Sequence, residues 1–131
     1  NSPEFQDLKL LVQTLHAAGA DVQYVSIPSN GRWYDHIGIK KDRREAVYKK
    51  IHSTVVDNGG KIYDLTNKDY EKYVISDAVH IGWKGWVYVD QQIARHMDGH
   101  APKNHEVDYS KNKPPHKHHK GRQDDQHQGN K

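Results

Sequence analysis

The 131-residue chain has no cysteine, one methionine and one phenylalanine. Without cysteine there is no disulfide framework and no thiolate-based zinc or iron–sulfur site. No run of about 18 apolar residues occurs, so no segment has the length and character of a membrane-spanning helix. Charge of one sign is also missing where it would count. Residues 99–131 hold 7 of the 20 Lys and Arg, 4 of the 17 Asp and Glu and 6 of the 11 His, so residues 1–98 are neutral and the formal +3 belongs to the tail. A nucleic-acid binder needs a folded basic face, which a neutral body does not offer.

Apolar residues are scarce in the same place. The tail has only Ala101, Val107 and Tyr109 from the apolar set. So few cannot offset the entropy of ordering the segment, and residues 99–131 are expected to be a flexible, solvated His- and Lys-rich tail. The start, Asn1-Ser2-Pro3-Glu4-Phe5, is neither an initiator methionine nor a signal peptide. Residues 1–4 look like a vector-derived scar and 5–98 like the working domain, part of a longer protein.

Within 5–98 the pattern alternates helix and strand. Phe5, Leu8, Leu11, Val12 and Leu15 recur at helical spacing, with Gly19 as a stop. Asp21–Ile27 is a β-rich run closed by Pro28, followed by an aromatic loop over Arg32–His36. Asp42 with Glu45 predicts a capped second helix that presents Val47, Ile51 and Val55 and ends at Asn58-Gly59-Gly60. Lys61–Leu65 is a second strand, a short helix follows to about Tyr73, and a last helix covers about Gly82 to Met97. The order predicts α/β layering around a short parallel pair flanked by helices. Two strands do not make an ordinary parallel sheet, so apolar surface is expected to lie exposed where neighbours belong.

On the last helix, Trp83, Trp86, Val87, Ile93, Ala94 and Met97 form an apolar stripe, with Asp90 in its middle. Trp83 and Trp86 are expected in the core. A carboxylate on such a stripe needs a partner, and Asp90, with Trp83, is assigned to support the loop before the helix.

That loop carries the densest chemistry. Asp77 and His80, three residues apart, suit a carboxylate folded onto imidazole Nδ1, which fixes the tautomer and leaves Nε2 as a general base. By spacing alone such a loop pair is more often structural than catalytic. Asn30, Trp33 and Tyr34, just after the first strand, are candidates for substrate contact.

The string Asp77-Ala78-Val79-His80-Ile81-Gly82-Trp83-Lys84-Gly85-Trp86-Val87-Tyr88-Val89-Asp90 resembles the C-terminal signature of the DltD family, the D-alanyl transfer proteins of Gram-positive bacteria. Ile27–Asp35 is similar to the same family's strand-end loop, and the likeness runs from about Phe5 to Met97. The resemblance implies a three-layer α/β domain of the flavodoxin-like, SGNH-hydrolase type, of which this chain is a C-terminal piece. It implies a place on the extracellular face of the cytoplasmic membrane and a part in esterifying lipoteichoic acid with D-alanine. Its partners would be the D-alanyl carrier protein, a membrane acyltransferase, lipoteichoic acid and the N-terminal half of the same domain. No cofactor and no metal are implied. In such a site His80 is the base of a Ser-His-Asp triad and Asp77 orients it.

Three alternatives stay open. One is hydrolytic proofreading of a mischarged carrier, another a non-catalytic docking module. A third is a His-rich metal-binding protein built on His116-Lys117-His118-His119. A His80 bonded to Asp77 and opening into a cleft favours chemistry, and a His80 packed in a core favours docking. The family's nucleophile block has no counterpart in this chain, and a base without a nucleophile is idle. The chain alone is therefore expected not to turn over p-nitrophenyl acetate. Turnover that disappears in His80→Ala would overturn this.

Overall fold

The computed structural model describes residues 2–102, 104 and 106–115. The chain begins with helix α1 (Pro3–Ala17), then strand β1 (Gln23–Ser26), a short helix α2 (Gly31–His36) and helix α3 (Lys41–Asp57). Strand β2 (Lys61–Asp64), a 3₁₀ turn (Thr66–Lys68) and helix α4 (Trp83–Met97) follow. The two strands pair in parallel, Gln23 with Lys61 through Ser26 with Asp64. This is the α/β arrangement with a short parallel sheet that the sequence predicts.

The core is small. Val12 of α1, Val55 of α3 and Ile62 of β2 are buried together, with Leu8, Tyr24 and Val56 packed around them. α1 starts on Pro3 with Glu4 in its first turn, where a missing N–H costs nothing and a negative charge meets the positive helix end. Of residues 1–4, Pro3 and Glu4 belong to this helix.

Several local expectations are corrected. Arg32–His36 is not a loop but α2, because Asn30 caps it. α3 starts at Lys41, so Asp42 lies inside its first turn rather than capping it, and Glu45 pairs with Lys41 at 2.8 Å. Its buried face is Arg44, Tyr48 and Val55, while Val47 is exposed. The short helix expected up to Tyr73 is only the 3₁₀ turn.

The largest correction concerns α4. It packs through Gly85, Val89 and Gln92, leaving Trp83 65 % and Trp86 52 % exposed rather than in the core. The reason is steric. A side chain on Gly82 would strike the Tyr73 carbonyl, and one on Gly85 would come within 2.5 Å of the Val74 carbonyl. The glycine face approaches the backbone closely and the wide apolar stripe points outward. Val25, Ile27, Val87, Ile93 and Met97 are exposed as well, which is the uncovered apolar surface expected of a two-stranded sheet.

The tail is corrected in part. The Asn104 side chain behaves like a peptide unit on the free edge of β2: its Oδ1 accepts from Ile62 N–H and its Nδ2 donates to the Gly60 carbonyl, both at 3.0 Å. Tyr109 is buried, stacked with Tyr48 and bonded to the Thr66 hydroxyl at 2.5 Å. Asn112, also buried, donates to Asp69 at 2.5 Å. Asn104 and residues 106–112 thus form a strap held by polar contacts, which a count of apolar residues cannot reveal. His116–Lys120 lie outside the described residues.

Beneath the strap Arg44 is 4 % exposed. Its guanidinium donates to Asp69 at 3.1 Å through two nitrogens, to Asp35 at 2.7 Å, to the Ile39 carbonyl at 2.6 Å and to the Tyr70 hydroxyl at 2.9 Å. Tyr70 in turn donates to Asp35 at 2.6 Å. Removing one partner of a buried ion pair leaves the other unpaired, at about 3–5 kcal/mol. Arg44→Met is accordingly expected to lower stability by that order in urea unfolding followed by circular dichroism. Asn104→Ala, which frees one N–H and one carbonyl, costs about 1–2 kcal/mol in the same experiment. An unchanged midpoint for Asn104→Ala would show that the Asn104 contacts contribute nothing.

Candidate functional site

The loop between Val74 and Ile81 is closed at its base by an antiparallel bridge between Ile75 and Ile81. Within it the Ser76 N–H and hydroxyl both donate to the His80 carbonyl, at 2.8 and 3.1 Å. Asp77 Oδ1 accepts the N–H groups of Val79 and His80, each at 3.0 Å, and Oδ2 lies 2.7 Å from His80 Nδ1. Both oxygens of Asp77 are therefore spoken for. The backbone N–H of His80, that of Val79 and then the His80 imidazole hold its carboxyl well below the usual carboxylate range. A carboxylate accepts only, so Nδ1 carries the proton in this bond and the lone pair of neutral His80 is on Nε2. The His80 side chain is 78 % exposed. The dyad is formed, oriented and open.

Asn30 fixes the loop from the other side. Its backbone N–H donates to the Ala78 carbonyl at 2.9 Å and its Nδ2 to the Asp77 carbonyl at 2.8 Å, while Oδ1 accepts from Trp33 N–H at 3.3 Å. One residue thus caps α2 and ties its start, just beyond the carboxyl end of β1, to the dyad loop. Ligand sites of open α/β sheets gather at that end of the strands. The Asn30 side chain bonds the dyad loop through Nδ2 and the first turn of α2 through Oδ1.

The other predicted residues scatter. Trp33 is exposed on α2, and Tyr34 lines a separate cavity of about 380 Å³ with Arg43, Val47 and Tyr48. Trp83 packs against Tyr73 with the rings tilted by 33° and their centres 5.7 Å apart. Asp90 is exposed two turns along α4, about 10 Å from its start, and makes no hydrogen bond or ion pair among the described residues. It does not support the loop; Asn30 does.

Sequence reasoning missed what holds the loop's approach. Tyr73 has φ +70°, a left-handed conformation unusual for a side chain of this kind, and its carbonyl accepts from Lys84 N–H at 3.2 Å. Glu71 is gripped by Lys84 at 2.6 Å, Lys68 at 3.0 Å and the Tyr88 hydroxyl at 2.7 Å. Burial alone would raise its carboxyl, but Lys84, Tyr88 and Lys68 outweigh it and hold it at about 2. The only sequence signal was the Lys84–Tyr88 spacing on one helix face.

A second Asp–His pair also escaped notice. His52 Nδ1 lies 2.8 Å from Asp64 Oδ2, but there both side chains are largely covered and Asp64 also accepts from Thr66 beneath Tyr109. That pair is part of the packing, and the exposed one is the candidate site. Among the described residues no serine hydroxyl bonds the His80 ring and no three His, Asp or Glu side chains are grouped to hold a metal. No helix among them is long and apolar enough to cross a membrane.

Residues 1–98 match the family model described as DltD protein. The chain belongs to the DltD family. It is similar to Protein DltD of Staphylococcus aureus, 80 % identical over 112 residues, which is 86 % of this chain and 28 % of that protein. Protein DltD of Bacillus subtilis is 42 % identical over 92 residues, covering 70 % of this chain and 24 % of that one. Protein DltD of Lacticaseibacillus rhamnosus is 29 % identical over 93 residues, covering 70 % and 22 %. The chain spans about a quarter of the length of these DltD relatives. The staphylococcal similarity, at 112 residues, extends past residue 98 into the strap.

Two outcomes follow. Glu71 and Asp77, with depressed carboxyls, contribute stability that is complete above the unfolded carboxylate range and is lost as pH falls through their folded values. The chain is expected to lose stability from about pH 4.5 downwards, and Glu71→Gln to flatten the part between about 4.5 and 2. Asn30→Ala is expected to speed hydrogen exchange at Val79 and His80 at least tenfold while leaving the α1–α3 core protected. Unchanged exchange at His80 would show that Asn30 does not hold the loop.

Proposed function

We propose that this chain supplies the acid–base half of a Ser-His-Asp site that handles D-alanyl groups during D-alanylation of lipoteichoic acid. The observation that carries the reading is the Asp77–His80 pair: a 2.7 Å bond on an exposed loop, with the carboxylate saturated by backbone donors and Nε2 free. A purely structural turn needs the carboxylate's backbone bonds, which cap the loop, but has no use for an imidazole held outward in one tautomer.

In this reading the serine comes from a part of the family's sequence not represented in this chain. His80 Nε2 takes the proton from the serine hydroxyl as its oxygen attacks the D-alanyl carbonyl. The same proton then passes to the leaving group; in the second half His80 deprotonates the accepting hydroxyl as it attacks the acyl-serine, and that proton returns to the serine oxygen as the acyl–serine bond breaks. Asp77 stays ionised throughout and stabilises the imidazolium. The carrier protein and the membrane acyltransferase are proposed as donor-side partners and lipoteichoic acid as acceptor, on the outer face of the membrane. The exposed stripe of α4 and the edge of β1 are where the remainder of a three-layer domain would pack. Hydrolytic proofreading differs only in water replacing the accepting hydroxyl.

The test is complementation. Bacteria lacking their own DltD receive a complete family member with the position of His80 changed to Ala or Gln, or that of Asp77 to Asn, and ester-linked D-alanine in the envelope is measured. A loss of at least a hundredfold for His80→Ala is expected, with protein levels unchanged. Wild-type levels of D-alanyl ester in His80→Ala would sink the catalytic reading and leave docking.

A further inference from the structure

The strap ends on the same carboxylate that anchors the buried arginine. Asn112 is 6 % exposed and donates its Nδ2 to Asp69 Oδ1 at 2.5 Å, while Asp69 Oδ2 accepts from Nε and Nη2 of Arg44, both at 3.1 Å. The Asp69 side chain is wholly buried. Burial raises its carboxyl above the ordinary value, and Asn112, then Arg44, act against that. Among the described residues no other donor reaches Asp69 Oδ1. The turn that presents Asn112 is itself fastened. The carbonyl of Tyr109, whose ring is buried against Tyr48, accepts the Asn112 N–H at 3.1 Å and the Lys41 ammonium at 3.2 Å.

Asp69 also faces the dyad loop's clamp. Its carbonyl accepts Gly31 N–H at 2.7 Å, and a side chain on Gly31 would lie 2.9 Å from that carbonyl and 2.8 Å from the Tyr70 ring. The start of α2 therefore rests directly on residues 69 and 70, with no slack to absorb a shift of either. Asn30, the residue before Gly31, makes the bonds to the Asp77 and Ala78 carbonyls that fix the loop. The strap lies past residue 98, where the family match ends, yet it reaches the dyad loop in three steps: Asn112 to Asp69, Asp69 to Gly31, and Asn30 to the loop. Without the Asn112 donor a buried carboxylate oxygen is left unpaired, and Asp69 can regain a partner only by moving. Asn104, the strap's other anchor, bonds the edge of β2 and touches none of these groups.

We propose that Asn112 is a positioning residue for the Asp77–His80 dyad: seated on Asp69, it holds the start of α2, and through Asn30 the dyad loop, in the arrangement that keeps the His80 proton on Nδ1 and Nε2 free. For its consequence in catalysis the inference rests on the acyl-transfer reading, to which it adds control of the base by the segment that follows α4.

The test uses the 131-residue chain, with amide hydrogen exchange and the ring nitrogen-15 shifts of His80 at about pH 8, where a histidine ring is neutral. An imidazole held by Asp77 carries its proton on Nδ1, and one released from it redistributes the proton to Nε2. Asn112→Ala is expected to shift the His80 ring toward the Nε2–H form and to speed exchange at Val79 and His80 about fivefold, while the α1–α3 core stays protected. Asn104→Ala, which loosens the strap at its other end, leaves both His80 readouts as they are. Asn112→Asp, which sets two carboxylates against each other, disturbs His80 as Asn112→Ala does. The swapped pair Asn112→Asp/Asp69→Asn again faces a donor with an acceptor and returns both readouts toward wild type. His80 readouts unchanged in both single Asn112 variants, changed as much in Asn104→Ala, or not restored at all by the swap overturn the proposal. In a complete family member that carries the strap, Asn112→Ala is expected to lower kcat for D-alanyl transfer about fivefold at unchanged KM, and His80→Ala to abolish transfer. Full kcat in Asn112→Ala overturns the positioning role only, and full kcat in His80→Ala overturns the acyl-transfer reading only.

Discussion

Arg44 is the group on which the other polar contacts converge. Its guanidinium is buried and bonded to Asp35 at the end of α2, to the Ile39 carbonyl in the α2–α3 turn, and to Asp69 and Tyr70 after β2. Burying a guanidinium is tolerable only with this many partners, so each partner is held where the charge needs it. The consequence is that α2 cannot move relative to residues 69–70. Gly31 N–H, bonded to the Asp69 carbonyl at 2.7 Å, sits at the start of α2 beside Asn30, and Asn30 holds the dyad loop. Rigidity passes from a buried ion pair to an exposed histidine through two hydrogen-bonded steps.

The arrangement separates two demands that conflict. In the proposed role His80 must be reachable by substrate, and an exposed side chain on a loop is ordinarily free to wander. Here the loop is exposed but its backbone is not free: Ile75–Ile81 closes the base, Ser76 and Asp77 staple the interior, and Asn30 and α4 hold the two flanks. Gly82 and Gly85 serve the same end, because only a surface without Cβ atoms lets the start of α4 lie directly on the Tyr73–Val74 backbone. The cost shows at Tyr73, which adopts a left-handed conformation next to this contact.

Periodicity made much of the fold legible. The three long helices, both strands and their parallel order follow from spacing, caps and Gly or Pro punctuation. The dyad was legible because its two members are three residues apart. What escaped was non-local and polar. Nothing in the pattern marks Arg44 as buried, since its partners lie 9 and 25 residues away and an arginine on a helix ordinarily faces solvent. The strap escaped for the same reason: Asn104, Tyr109 and Asn112 dock by side-chain hydrogen bonds, and segments poor in apolar residues read as solvated. α4 was misread in orientation though not in extent, because a hydrophobic stripe says that a face prefers burial and not that something is there to bury it.

The sequence by itself determined the local chemistry: which residues form helices and strands, that Asp77 can reach His80, and that Gly82 and Gly85 permit close contact. These depend on backbone geometry over a few residues, and short-range sterics and hydrogen bonding settle them wherever the segment is placed. Only the tertiary structure decided that the exposed Asp–His pair is the one with a free Nε2 while His52–Asp64 is sealed, and that Asn30 clamps the loop. Those outcomes depend on which distant side chains consume one another's charges and hydrogen bonds. A chain sets its composition, but only its folding decides how those groups pair.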